Sequence, residues 1–196
     1  MPAISSADLV RYEERILQAL RELGLPESLA KTRRQSVQLE CESVNLVSIG
    51  LDLLGREQRL ERRAAEQWSA MQAAAEGERV VLGVISGFRS FDYQRGIIAR
   101  KLAAGQSTEQ ILAVSALPGF SEHHSGRAVD VGTPGCPHLT EEFERTPAFS
   151  WLTRHAAEHG FQLSYPRGNS LGIAFEPWHW LFSRNDAIGV AHETHE

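Results

Sequence analysis

The sequence has few cysteines, no long apolar run and no excess of positive charge, and each lack excludes a class of protein. The two cysteines, Cys41 and Cys136, lie far apart without a C-x-x-C spacing, so they predict neither a zinc site of their own nor a disulfide framework. No apolar run approaches the roughly 18–20 residues that a membrane span needs. A formal net charge of -5 argues against a general nucleic-acid binder, which needs a basic face for phosphates.

An apolar core of the kind that a signal peptide needs is also lacking at the N-terminus. Residues 1–15 carry Asp8, Arg11, Glu13 and Glu14. The sequence therefore indicates a cytoplasmic protein, or one from which an export signal has been removed and which works in the cell envelope.

The apolar pattern predicts helices and strands at uneven spacing along the 196 residues. Helices are predicted over 8–23, 56–75 and 91–104, in a capping box at 107–110 and over 147–160, and strands over 80–85, 128–131, 161–165 and 172–182. Some of these strands are joined by helices and two by a turn at 166–169. That mixture favours an α+β domain over a doubly wound sheet.

Two clusters carry the residue types of a catalytic metal site. His123 and Asp130 stand seven positions apart around Gly126, and Glu176 and His179 follow near the C-terminus. Two histidines and one aspartate suit a catalytic Zn²⁺ that keeps a fourth position open for water. The remaining Glu176 is of the right kind to act as a base on that water. Pro177 predicts a bulge that turns Glu176 and His179 towards one centre.

Other residues compete for these roles. His124 stands beside His123, and only one of two neighbours in an extended segment can share a centre with Asp130. Residues 155–159 match the H-x-x-E-H pattern of inverted zinc metallopeptidases, but Gly160 ends that helix at once and a polar outer face is the simpler interpretation. Arg89 follows a strand in a glycine-bearing turn, which suits either an anion or a surface salt bridge.

With these pieces together, the chain resembles the zinc D-alanyl-D-alanine carboxypeptidases, which include vancomycin-resistance-type D,D-peptidases and bacterial L,D-carboxypeptidases. The likeness runs from about residue 80 to residue 182 in the family's order. The matching positions are Ser86 to Ser90, Gln94, then Ser121, His123, Gly126 and Asp130 with local variation in the spacer, and finally Glu176 and His179. Phe88 stands where the family commonly has tyrosine, so no role is assigned to it.

The resemblance implies a role for each matching residue. It makes His123, Asp130 and His179 the ligands of one zinc ion, which leaves His124 as a neighbour. It makes Glu176 the general base and Arg89 the group that stabilises the tetrahedral intermediate. Four further residues would bind substrate: Ser121, Gln94, Tyr165 and Trp178.

The resemblance also implies an architecture and a substrate. The fold would be α+β, a mainly antiparallel sheet flanked by helices as in hedgehog-type zinc domains, with residues 1–59 as an N-terminal helical extension, 60–183 as the zinc peptidase domain and 184–196 as a polar tail. The expected substrate is a peptidoglycan-derived peptide that loses its terminal D-alanine. An endopeptidase of the same family and a catalytically silent zinc domain are the alternatives. D,D- versus L,D-specificity and oligomeric state stay open.

Overall fold

A computed structural model describes residues 5–183 of the chain, and α-helices and β-strands alternate irregularly along them. The helices are α1 (Ser6–Glu22), α2 (Ser28–Arg34), α3 (Arg62–Gly77), α4 (Phe91–Ala103), α5 (Thr108–Ala113) and α6 (Pro147–His155). The strands are β1 (Leu46–Leu51), β2 (Glu57–Glu61), β3 (Gly83–Ser86), β4 (Ala128–Gly132), β5 (Phe161–Leu163) and β6 (His179–Phe182). Short 3-10 helices cover Glu122–Ser125, Glu141–Arg145 and Ala156–His159. The polar tail predicted over 184–196 lies outside the described residues.

The strands form two antiparallel sheets. β1 and β2 make a hairpin, and the other four strands make a sheet in the order β3-β4-β6-β5. Every residue of β4, one of the two inner strands of this sheet, is buried, and its Val129 and Val131 pack in the hydrophobic core with residues of α3 and α6. The predicted α+β class is confirmed. No helix in residues 5–183 is long and apolar enough to cross a bilayer.

The hydrophobic residues bury themselves in two clusters. The main cluster joins Trp68 and Met71 of α3 and Trp151 of α6 to the four-stranded sheet. The second joins Ile16 and Leu20 of α1 to Phe91 and Ile98 of α4, with Ile111, Leu117 and Phe120 beside them. Burial of one such side chain contributes roughly 1.5–3 kcal/mol. The second cluster therefore fixes α1 against the helix that follows Arg89.

The helix predicted over 56–75 is wrong in its first part. Residues 57–61 form β2, and α3 begins only at Arg62, with the Glu61 carboxylate capping it by accepting hydrogen bonds from Arg63 N and Ala64 N. Contacts with other parts of the chain outweigh the helical propensity of these residues. β2 pairs with β1, and the carbonyl of Arg59 accepts a hydrogen bond from the Phe88 amide.

The strand predicted over 172–182 is also too long. Only His179–Phe182 joins the sheet. The chain before it bonds elsewhere, since the Ala174 amide donates to Ala113 O and the Glu176 amide to Tyr165 O. Pro177 has no N–H to give to a ladder. Instead of the predicted bulge, a tight turn forms in which the His179 amide donates to Glu176 O at 3.1 Å.

Candidate metal centre

Sheet register and one tight turn bring His123, Asp130 and His179 together. Asp130 of β4 and His179 of β6 are direct partners in the antiparallel pair, so their side chains lie on the same face. His123 lies on the 3-10 helix Glu122–Ser125, which Gly126 ends with a φ of 69°. A Cβ on Gly126 would lie 2.9 Å from Glu61 N. Glycine is needed there both for the backbone angle and for the space.

The three side chains present one ligand atom each to a common point. These atoms lie within 4.8 Å of one another, and all three residues are buried. His123 Nε2 is 3.3 Å from Asp130 Oδ2, and His179 Nδ1 is 3.0 Å from Asp130 Oδ1. One carboxylate flanked by two imidazoles is a donor set that suits Zn²⁺.

A hydrogen bond at Nδ1 of His123 determines that Nε2 is the ring nitrogen available to bind a metal ion. Its Nδ1–H donates to the carbonyl oxygen of Gly87 at 2.6 Å. Nε2 therefore carries a lone pair, and it has no hydrogen-bond partner although it faces the Asp130 carboxylate. Two electron-rich atoms facing each other in the interior favour a cation between them. The residues present thus fit a metal ion.

His124 is satisfied on both sides, in contrast to its neighbour. The amide of Gly119 donates to its Nε2 at 3.1 Å, so Nδ1–H donates to the carbonyl of Arg89 at 2.6 Å. Its ring also stacks on Phe91, with centroids 6.2 Å apart. His124 is therefore a structural residue that holds the main chain of Arg89.

Charge in the centre is arranged to favour a cation. Burial and the nearby Arg89 guanidinium lower the pKa of His123 to about 4, which keeps its imidazole neutral. Burial raises the pKa of Asp130, but the two histidines outweigh it and hold that pKa far below its ordinary range. Burial also lowers the pKa of His179, yet its hydrogen bonds with Asp130 and Glu122 outweigh burial and raise it to about 10.

A small cavity of about 40 Å³ opens beside this cluster, and His123 and His179 are part of its lining. Most of the residues predicted to act on substrate line it: Arg89, Gln94, Ser121, Tyr165 and Glu176. Two larger clefts lie elsewhere, an apolar one of about 210 Å³ beside α1 and a polar one of about 310 Å³ beside β2. The small cavity is the functional candidate because it is the one that opens onto the metal-type cluster.

Glu176 and Arg89 each lie within 4 Å of one member of the cluster. Glu176 Oε2 is 3.9 Å from His179 Nδ1, and burial raises the pKa of Glu176 to about 7. Arg89 Nη2 is 3.8 Å from Asp130 Oδ2, while its buried Nε makes no hydrogen bond. A buried carboxylate and a guanidinium thus lie beside the metal-type cluster.

The four predicted substrate residues differ in their placement. Gln94 is buried, donates to Ala116 O at 2.8 Å and leaves its Oε1 without a partner. Ser121 is buried at the cavity, and the ring of Tyr165 lies 4.8 Å from that of His179. Trp178 packs against the main hydrophobic cluster instead of lining the cavity, so its substrate role stays a prediction.

Glu122 is a residue of the site that sequence reasoning missed. Its Oε2 accepts hydrogen bonds from His179 Nε2 at 2.8 Å and from Ser164 Oγ at 2.7 Å. A carboxylate on the far nitrogen of a ligating histidine fixes its tautomer and ring orientation. The only sequence signal was an acid next to His123, and nothing in the spacing connected it to His179.

The H-x-x-E-H segment does not form a second metal group. His155 and His159 both lie beside the Trp151 ring, with centroids 4.9 and 6.4 Å away, and His155 Nδ1 is 3.2 Å from Glu158 Oε1. In residues 5–183, His123, Asp130 and His179 are the one cluster of three metal-type ligands. Both cysteines in this part are free thiols.

Comparison with known proteins identifies relatives of the chain. A family model described as VanY, D-alanyl-D-alanine carboxypeptidase, matches residues 57–185. The D-alanyl-D-alanine carboxypeptidase of Enterococcus faecium is 31% identical over 188 residues, which cover 92% of this chain and 54% of that protein. The bifunctional D-Ala-D-Ala dipeptidase and carboxypeptidase VanXYC of Enterococcus gallinarum is 30% identical over 144 residues, or 68% of this chain and 69% of that protein. The chain spans about half the length of the first three curated relatives that it matches, at 49%, 54% and 52%.

Solved structures agree with these relatives. The LdcB LD-carboxypeptidase superposes with a TM-score of 0.65 at 28% identity, over 72% of this chain and 69% of that one. A mutant of the vancomycin-resistance D,D-pentapeptidase VanY in complex with Zn(II) superposes with a TM-score of 0.57 at 27% identity, over 75% of this chain and 87% of that one. The matched family segment contains every residue of the candidate metal centre.

Proposed function

The chain belongs to the VanY family of D-alanyl-D-alanine carboxypeptidases, and from this premise we propose that it is a zinc-dependent carboxypeptidase that removes the terminal D-alanine from peptidoglycan stem peptides. One observation carries the proposal. The unprotonated Nε2 of His123 faces the Asp130 carboxylate in a buried site, with the base Glu176 beside them. The names of the relatives supply the substrate class.

Zinc would be held by His123 Nε2, the Asp130 carboxylate and His179 Nδ1. His179 suits this role because its other nitrogen lies 2.8 Å from the Glu122 carboxylate, which can hold the proton there. Zinc in such a site polarises a carbonyl and brings the pKa of its water towards about 7.

Glu176 would move the proton. As water attacks the scissile carbonyl, the Glu176 carboxylate accepts one proton from it, and returns that proton to the amine that leaves as D-alanine. Burial raises the pKa of Glu176 to about 7. A cation beside it lowers that pKa, which favours the ionised form that a base needs.

Arg89 would stabilise the negative charge on the carbonyl oxygen. Its guanidinium lines the cavity, and its Nε makes no hydrogen bond within the protein. A donor that is already in place costs little reorganisation when the charge develops. Gln94 Oε1, which is also unpartnered, is available to accept an N–H of the peptide.

Two other functions compete with this one. An endopeptidase of the same family would cut inside the stem or crossbridge and would release a longer fragment than one alanine. A silent zinc domain would bind cell-wall peptide without cutting it. The placement of Glu176 and Arg89 beside the cluster argues against it.

The test is mass spectrometry of defined muropeptides incubated with the zinc-loaded protein. We expect a pentapeptide stem ending in D-Ala-D-Ala or a tetrapeptide stem ending in D-alanine to lose one alanine, and a comparison of the two assigns D,D- or L,D-specificity. Release of a longer fragment would support the endopeptidase. Stoichiometric zinc with no cleavage of either stem would contradict the proposal and favour the silent domain.

A further inference from the structure

The outer wall of the small cavity consists of two irregular segments, which we call the pocket wall: residues 112–116 and residues 171–176. Val114, Ser115, Ala116, Ile173 and Glu176 of these segments line the cavity. Residues 112 and 113 are the last of α5, and neither segment has a place in the four-stranded sheet. The shape of the cavity entrance therefore depends on the contacts that hold these two segments together.

One main-chain hydrogen bond joins the segments directly. The Ala174 amide donates to the Ala113 carbonyl at 2.9 Å. Side chains of α4 brace the inner end of the first segment, where Gln94 bonds to Ala116 O and Lys101 Nζ to Ser115 Oγ at 2.6 Å. Neither of these two side chains hydrogen-bonds to residues 171–176.

Arg33 is the side chain that spans both segments. It lies on α2, outside the segment that the family model matches. Its Nη1 donates to Leu171 O at 3.0 Å and its Nη2 donates to Leu112 O at 2.7 Å. The planar guanidinium holds its donors in a fixed fork, which lets one side chain fix the spacing of two carbonyl groups.

The other residues of α2 contribute little to packing. The helix has seven residues and none of them is buried. Leu29 and Ala30 pack only partly on the second hydrophobic cluster. Arg34, which follows Arg33, forms an ion pair with Glu13 of α1. Two adjacent arginines on one short helix thus have different partners, a carboxylate of α1 and the pocket wall.

We propose that Arg33 is a positioning residue that holds the pocket wall in the conformation that binds the stem peptide. It touches neither the reacting atoms nor the metal centre, and it acts through the two carbonyl groups. This inference rests on the proposed function for its substrate. When a binding-competent conformation is only partly populated, the apparent affinity falls in proportion to that population.

Kinetics of three variants test the proposal. We expect Arg33→Ala to raise KM for the stem peptide about tenfold, since two hydrogen bonds from a charged group are lost, while kcat changes less than about twofold. Arg33→Lys supplies only a point charge and should recover part of the affinity. Arg34→Ala is the matched control, with KM and zinc content as in the wild type. A KM that is equal in Arg33→Ala and Arg34→Ala would overturn the proposal.

Amide hydrogen exchange provides a readout that does not need activity. Peptides that cover residues 112–116 and 171–176 should exchange faster in Arg33→Ala than in Arg34→Ala, with the Ala174 amide as the central reporter, while residues 128–132 of β4 keep their protection. If the wild type cleaves no muropeptide but this local exchange still rises, the proposed function fails and the positioning role stands. Unchanged exchange in the pocket wall overturns the role whatever the activity.

Discussion

The floor and the wall of the small cavity are built in opposite ways. The floor, which consists of His123 and His179 in the cavity lining together with their partner Asp130, lies on a 3-10 helix and two paired strands, and all three residues are buried. The wall, residues 112–116 and 171–176, is irregular and partly exposed, and side chains from α2 and α4 hold it. Sheet register places the ligand atoms rigidly, whereas the wall can change with little cost to the sheet. We therefore assign metal binding to the floor and the choice of peptide to the wall, except that Glu176, the last residue of the wall, is the proposed base.

The largest effect is expected from a substitution in the floor. His123→Ala removes a ligand, so the protein should lose both zinc and activity, the latter on the order of 10³-fold or more because the metal's charge stabilisation is lost. His155→Ala is the control, since it removes a histidine from the H-x-x-E-H segment and should leave zinc content unchanged. Metal analysis and muropeptide hydrolysis measure both. Retained stoichiometric zinc in His123→Ala would break the distinction between floor and wall.

Glu176→Gln separates chemistry from metal binding. The amide keeps the shape of the side chain but cannot take a proton, so kcat should fall on the order of 10²–10⁴-fold while zinc stays bound. Zinc content, circular dichroism and single-turnover hydrolysis check this expectation. Undiminished hydrolysis by this variant would remove Glu176 from the mechanism.

Glu122→Gln should lower the zinc affinity of the floor without removing a proposed ligand. The amide keeps one hydrogen bond to His179 Nε2 but loses the negative charge that the carboxylate gives to the ring. We expect zinc affinity to fall about 10- to 100-fold, as is typical when a partner of a ligating histidine is changed. Competition with a chromogenic chelator measures this affinity. Ser164→Ala deletes only the hydroxyl that donates a hydrogen bond to Glu122, so it should lower zinc affinity less. Equal zinc affinity in wild type and Glu122→Gln would show that Glu122 does not tune the site.

The smallest effect is expected in the wall. Ile173→Ala removes apolar surface from the cavity lining, so KM should rise only about three- to tenfold, with kcat and zinc content preserved. Steady-state kinetics with two stems that differ in their last residue measure the change. A fall in kcat as large as that of Glu176→Gln would mean that the apolar part of the wall also takes part in the chemistry.

Several helices and strands were predictable from the sequence. The capping box at Ser107 and the helix after Pro147 are confirmed, and β4 begins at the predicted Ala128. The direct pairing of Asp130 with His179 could not be predicted from the sequence, because alternation of apolar residues identifies strands but not their neighbours in a sheet. The pattern of residues also could not decide which of His123 and His124 shares a centre with Asp130. That choice depends on which carbonyl each Nδ1 reaches, Gly87 or Arg89.

The wall and the N-terminal region were the least predictable parts. Residues 57–61 have helical composition but form a strand, because β1 pairs with them and the Arg59 carbonyl accepts a hydrogen bond from the Phe88 amide in the turn after β3. Arg33 stands in a short basic run with Lys31 and Arg34, in a part of the sequence that carries no recognisable motif. Its bonds to Leu112 and Leu171 join parts of the chain that no local pattern connects. The proposed division at residue 60 stays a prediction.

Anomalous diffraction at the zinc absorption edge from crystals of the zinc-loaded protein tests the central claim most directly. We expect a single strong peak at ordinary bonding distance, about 2.0–2.2 Å, from His123 Nε2, a carboxylate oxygen of Asp130 and His179 Nδ1. A peak at His155 and His159 instead, or no peak within reach of Asp130, would contradict the account.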